Sequence, residues 1–284
     1  MQEAPFEIGL QQEKSTKANC WTFCKQDLQS PFFSIKEPNE QIIDIKATFA
    51  PQPYAITIFI RAVFLIFTLV ALMFDSITWN GEFNWIVYLT NWGCIYTLLY
   101  QIPILVCSIK PNLLSQPSSS PPETVENNQP SVLVRFLWSI YTVATTTQIG
   151  VLILYWVVLY APGDNVDFSN VAMHGVLAAC LLIDGIFVST IPLRWKHFLF
   201  VEFASIVYVV WSVIHSFLKK GGAIYSVLDW KNDPVVAIIY VIIVIFGLLP
   251  LCYLLIWGLS ILSYKLKCDG SRRKTVNRAD EVTV

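Results

Sequence analysis

Six long apolar stretches dominate the chain, bounded loosely at 54–74, 84–108, 132–160, 171–192, 197–217 and 234–264. Each is long enough for a helix to cross about 30 Å of hydrocarbon, which takes roughly 20 residues. A spanning segment without water must satisfy its backbone internally, so each stretch is predicted to be helical. The sixth opens with Asp233 and Pro234, a capping residue followed by the residue best tolerated in a first turn. Pro250 is predicted to bend that helix. The expected fold is all-α: a polytopic transmembrane bundle of six helices over 54–264. It is flanked by a polar N-terminal tail (1–53) and a basic C-terminal tail (265–284).

Orientation follows from Lys and Arg in the connections. Segments 75–83 and 161–170 contain none, whereas 193–196 carries Arg194 and Lys196, 109–131 carries Lys110, and the C-terminal tail carries six. The positive-inside tendency then places both termini in the cytoplasm, with 218–233 (Lys219, Lys220, Lys231) as the dissenting loop. Residues 111–131 are Ser/Pro-rich and read as a flexible cytoplasmic linker.

Composition agrees with a membrane protein. Of 284 residues, 55% are hydrophobic and only 14% charged, where a soluble domain has about a quarter charged. A net charge of −1 offers nothing to nucleic acid. The partners this implies are membrane lipids and other membrane proteins, in the plasma membrane or an endomembrane. Cys94, Cys107, Cys180 and Cys252 fall in spans and behave as small apolar residues, while Cys268 beside basic residues is an S-acylation candidate. No G-x-S-x-G, H-E-x-x-H or phosphate-binding glycine loop occurs. Three histidines, His174, His197 and His215, with His197 on the cytoplasmic side, do not make a zinc site. No cofactor is implied.

Ionisable groups inside the bilayer are costly and point either to function or to pairing. At about 1.5 Å per residue, Arg61, Glu202 and Asp184 fall about 10, 8 and 12 Å in from the cytoplasmic side. Arg61 is expected to neutralise Asp184, Glu202 or both; a proton path is the sharper alternative. In the other half, Thr90 and His174 lie about 9 and 5 Å below the outer surface. Helix two carries Thr90, Cys94, Thr97 and Gln101 along one face, and helix three carries Tyr141, Thr145, Gln148 and Tyr155. Two such stripes predict a polar cavity opening toward the outer leaflet. Taken alone, Thr90 reads as a hydroxyl bonded to its own helix, and His174 as a packed or interfacial histidine. The spacing Gly185-x-x-x-Ser189 allows a close helix approach.

The run His174, Asp184, Pro192, Arg194, His197, then Gly221-Gly222, Ile224-Tyr225-Ser226-Val227-Leu228-Asp229-Trp230 and Pro234, resembles the C-terminal half of the rolling stone family. Those are six-helix membrane proteins associated with muscle-cell (myoblast) fusion. The resemblance implies a role in cell-surface contact or fusion. That family is similar in turn to the androgen-induced membrane proteins, described as threonine hydrolases of fatty-acid esters of hydroxy fatty acids. Their aromatic-Leu-Thr context is matched by Tyr88-Leu89-Thr90, and their Asn-x-x-Met-His pattern by Asn170-Val171-Ala172-Met173-His174. The flanks differ, with Asn91-Trp92 after the threonine and Gly175 after the histidine. The resemblance implies Thr90 and His174 as catalytic residues, nucleophile and base, and a lipid ester as substrate. It names no group that orients the histidine or binds an oxyanion; Asn91 and Gln148 are the polar residues considered for those roles.

Overall fold

The computed structural model describes residues 33, 44–78, 84–115, 130–161, 163, 165–218 and 223–263. Among the described residues, six helices are long and apolar enough to cross a membrane. They are α1 (Tyr54–Ile77), α2 (Leu89–Ile109), α3 (Val132–Leu159), α4 (Phe168–Val188), α5 (Trp195–Leu218) and α6 (Pro234–Ser263). No strand occurs among the described residues. Even the shortest, at 21 residues, is about 31 Å long at 1.5 Å per residue.

The centre is α3. Of its most apolar window 56% is buried, against 22% for α1, α5 and α6. Those three therefore present the outer surface. On α1 the exposed side chains Phe59, Ile66, Met73 and Ile77 form one stripe, and on α5 Phe203, Val210 and Phe217 form another. In water such stripes would mark association sites; in a bilayer they are the surface that acyl chains solvate.

Four wide, π-helical turns interrupt the spans, at Leu154–Leu159, Ala172–Val176, Ile183–Val188 and Val244–Leu248. The last lies just before Pro250. A proline ring crowds the carbonyl four residues earlier, here Phe246, and a widened turn makes room for it. At the start of α6 the Asp233 side chain accepts from Val236 N at 3.3 Å, with Pro234 in the first turn.

Arg61 on α1 is 2% exposed and bonded through every face of its guanidinium. Its Nε donates to Asp184 Oδ1 at 2.8 Å, Nη1 to the Phe49 carbonyl at 2.7 Å and to Ser108 Oγ, and Nη2 to Ser189 Oγ at 2.6 Å. Tyr100 Oη donates to the second Asp184 oxygen at 2.6 Å. Charge and hydrogen bonds close on one another, the condition for an ion pair to persist in hydrocarbon. Of the two acids expected to meet Arg61, only Asp184 does. Glu202 sits half-buried on α5 and takes no part, because the arginine donors are already committed to α2, α4 and Phe49.

That network also draws both polar flanks inward. Ile45–Phe49 forms a short helix capped by Asp44, and Phe49 and Ala50 are buried. The 1–53 tail thus ends as part of the bundle. The 111–131 segment begins as a 3-10 turn, Pro111–Leu114, with Leu114 buried and Asn112 accepting from Lys46 Nζ at 3.3 Å. Only beyond it does the segment leave the described residues. Cys20, Cys24, Cys268 and the C-terminal tail also lie outside them.

Gly185 lets α4 meet α3. A Cβ there would come within 2.0 Å of the fully buried Tyr141 ring. Ser189, the other half of the small-residue pair, serves Arg61 instead. Replacing Gly185 by Ala is expected to cost about 1–3 kcal/mol through overpacking. Arg61→Leu is expected to cost about 3–5 kcal/mol by stranding Asp184. Arg61→Lys should fail to restore stability, since an ammonium has no planar fork to span three helices. Unfolding of each variant in detergent micelles measures this; a Lys variant as stable as the parent would contradict the network.

Candidate active site

At the other end of the bundle the start of α2 meets the first third of α4. Residues Asn84–Val87 form a 3-10 turn, Tyr88 is extended (φ −80, ψ 136), and the α-helix begins at Leu89. Thr90 is therefore the second helical residue, shallower than the depth read from the apolar stretch, because 84–88 do not continue the helix. Several buried hydroxyls within spans bond back four residues, as Thr97 does to Gly93 O at 2.8 Å and Thr142 to Trp138 O at 2.9 Å. Thr90 has no α-helical turn behind it, and the carbonyl four residues earlier, Ile86, accepts from Trp92 Nε1. Its hydroxyl instead lies 3.1 Å from His174 Nε2.

His174 lies in the wide turn Ala172–Val176, with non-helical angles (φ −105, ψ 17). Its Nδ1 is 3.0 Å from the Asn170 carbonyl. A carbonyl only accepts, so Nδ1 carries the ring proton and Nε2 offers its lone pair to the Thr90 hydroxyl. The Tyr155 ring stacks on the imidazole, centroids 3.7 Å apart and 9° from parallel. Trp156 Nε1 donates to the His174 carbonyl at 3.0 Å. Tautomer, tilt and backbone are each fixed by a different contact.

The pair heads a cavity of about 100 Å³, lined chiefly by apolar side chains of α3, α5 and α6. On α6 the lining runs from Tyr240 to Leu249, about 14 Å along the helix. Two phenols join Thr90 at its head. Tyr208 Oη on α5 donates to Val87 O at 3.1 Å. Tyr225, from the loop before α6, accepts from Leu89 N at 3.2 Å and borders the cavity beside Thr90 and Tyr208. Burial pushes the Tyr225 hydroxyl up to about 12, so at neutral pH it is a protonated donor. Asp75 ties the surrounding ends together, accepting from Ser169 Oγ and Trp85 Nε1, both at 2.8 Å.

Other polar candidates lie elsewhere. Asn91 donates its amide to Trp85 O at 2.6 Å, holding the 3-10 turn. Gln148 donates to Thr97 Oγ1 at 3.3 Å in the α2–α3 interface. His197 is fully buried between Trp138 and Phe33, and His215 does not line the cavity. Neither Asn91 nor Gln148 orients the histidine; the Asn170 carbonyl does. A main-chain group has no letter of its own in a sequence. Tyr155 was visible on the polar face of α3 and Tyr225 within the Ile224–Trp230 run, but neither position disclosed its neighbour.

The arrangement is a hydroxyl, an imidazole acceptor and a group that fixes the imidazole tautomer, the parts of an activated oxygen nucleophile. Nitrogen-15 NMR of histidine-labelled protein is expected to show His174 protonated at Nδ1 and unprotonated at Nε2. The opposite tautomer would reverse the direction of the Thr90 hydrogen bond.

No curated protein and no solved structure matches this sequence. Residues 20–282 match the family described as protein rolling stone. That match takes in all six spans together with Thr90, His174 and the Arg61 network, and the protein belongs to the rolling stone family.

Proposed function

We propose that this chain is an intramembrane hydrolase of lipid esters, with Thr90 as nucleophile and His174 as general base. The observation that carries this reading is the 3.1 Å approach of Thr90 Oγ1 to His174 Nε2 at the head of an apolar cavity. The substrate class is a long-chain acyl ester, such as a fatty-acid ester of a hydroxy fatty acid, its acyl chain lying among the aliphatic side chains of α3, α5 and α6. A role in cell-surface contact or myoblast fusion is the other reading of the family resemblance; no geometry at the site speaks for it.

Thr90 Oγ attacks the ester carbonyl carbon while its proton passes to His174 Nε2, and the carbonyl π electrons move onto oxygen. The tetrahedral species collapses by breaking the bond to the alcohol oxygen, which takes the proton from Nε2 and leaves as an alcohol. The acyl group is now an ester of Thr90. Water attacks it as His174 again accepts a proton; the second collapse returns Thr90 and releases a fatty acid. Throughout, the Asn170 carbonyl holds Nδ1–H and supports the positive charge that the ring carries between transfers.

A fluorophosphonate probe is expected to label the full-length protein in micelles at Thr90, and the label should vanish in Thr90→Ala and persist in Thr90→Ser. His174→Asn should lower the labelling rate by about 10²- to 10⁴-fold. Labelling that survives Thr90→Ala, or folded protein that never labels, would overturn the proposal.

A further inference from the structure

Attack on an ester places negative charge on the carbonyl oxygen, and catalysis of acyl transfer depends on donors about 2.7–3.1 Å from that oxygen. The head of the cavity offers few. The Nε2 proton of His174 is needed by the leaving alcohol, and Nδ1–H is held by Asn170. Tyr208 has already given its proton to Val87 O. Ser205 has given its own to Val201 O at 2.8 Å.

Tyr225 differs in how its atoms are used. Its oxygen accepts from Leu89 N, the first N–H of α2, so the oxygen is pinned and its own O–H remains to be directed elsewhere. That oxygen is thereby held one residue from Thr90, and the phenol borders the same cavity as Thr90 and Tyr208. Accepting from the positive end of a 21-residue helix also polarises the phenol and strengthens it as a donor. The carbonyl oxygen of an ester attacked by Thr90 comes to rest one carbon away from Oγ1. A phenol pinned to the N–H of Leu89, the residue before Thr90, stands beside that position.

We infer that Tyr225 is a catalytic residue, the O–H donor that stabilises the oxyanion formed on the substrate when Thr90 attacks. This rests on the hydrolase reading above. The Tyr225 proton is shared, not transferred, so no step changes its charge. Its neighbours that titrate are Tyr88, Tyr208 and His174, and its own hydroxyl, raised to about 12 by burial, stays protonated wherever a neutral histidine can act. The loop is held over Thr90 by the buried Leu228 and by an edge-on contact of the Tyr88 and Tyr225 rings, 5.8 Å between centroids.

The test uses full-length protein in micelles and the p-nitrophenyl ester of a long-chain fatty acid. Tyr225→Phe is expected to lower kcat by about 10²- to 10³-fold while leaving KM and the melting temperature near their parental values. Tyr208→Phe, whose proton serves the backbone, should change kcat far less. If the parent turns over and is labelled at Thr90 while Tyr225→Phe keeps its kcat, this inference is wrong and the hydrolase reading survives. If the parent is never labelled, both fall. Should Tyr225→Phe not fold, 3,5-difluorotyrosine at position 225 keeps the hydroxyl but makes it more acidic. A new alkaline fall in kcat then supports the donor role, and an unchanged pH profile overturns it.

Discussion

In the first turn of α4 the carbonyl of Asn170 accepts the Nδ1–H of His174. The chemistry of the site depends on that bond. It decides which ring nitrogen keeps a proton, hence which offers a lone pair, hence that the Thr90 hydroxyl points at the imidazole. In soluble hydrolases a carboxylate often does this work. Here a buried carboxylate would itself need neutralising, and a neutral carbonyl avoids adding a charge to the membrane interior. The wide turn at Ala172–Val176 supplies the geometry, and the Trp156 indole satisfies the His174 carbonyl within the same turn.

The bundle separates what holds it together from what it offers to a ligand. Around Arg61 the donors and acceptors of α1, α2 and α4 are matched to one another, and the ion pair is sealed. Around Thr90 a hydroxyl, phenols and an imidazole border an apolar cavity. Helix α3 connects the two regions, with Tyr141 seated on Gly185 at one and Tyr155 stacked on His174 at the other. A single span thus carries the packing that places α4 relative to α2 and, in its wide turn, the surface against which the histidine ring lies.

Hydropathy alone made the six spans legible, since twenty apolar residues in a row have few alternatives to a spanning helix. The Arg61–Asp184 contact was legible in outline because so few charges lie in the spans, though nothing in the spacing said that Glu202 would be left out. The inward faces of α2 and α3 followed from periodicity. What the sequence withheld was everything set by departures from regular helix: the late start of α2 at Leu89, the wide turns, the docking of Phe49 and Leu114, and the Asn170 carbonyl. Tyr225 was hidden for a related reason. It sits in a connection, 135 residues after Thr90, and no periodicity links a loop to a helix end.

A reaction on Thr90 leaves a covalent trace, and that trace is the most direct measure of the account. Purified protein mixed with a lipid ester, quenched within one turnover and digested, should yield the Thr90 peptide carrying the acyl group, rising and then decaying as free fatty acid appears. Turnover of the ester with an acyl adduct on another residue, or with none at any time, would contradict the assignment of Thr90 and His174 as the reacting pair.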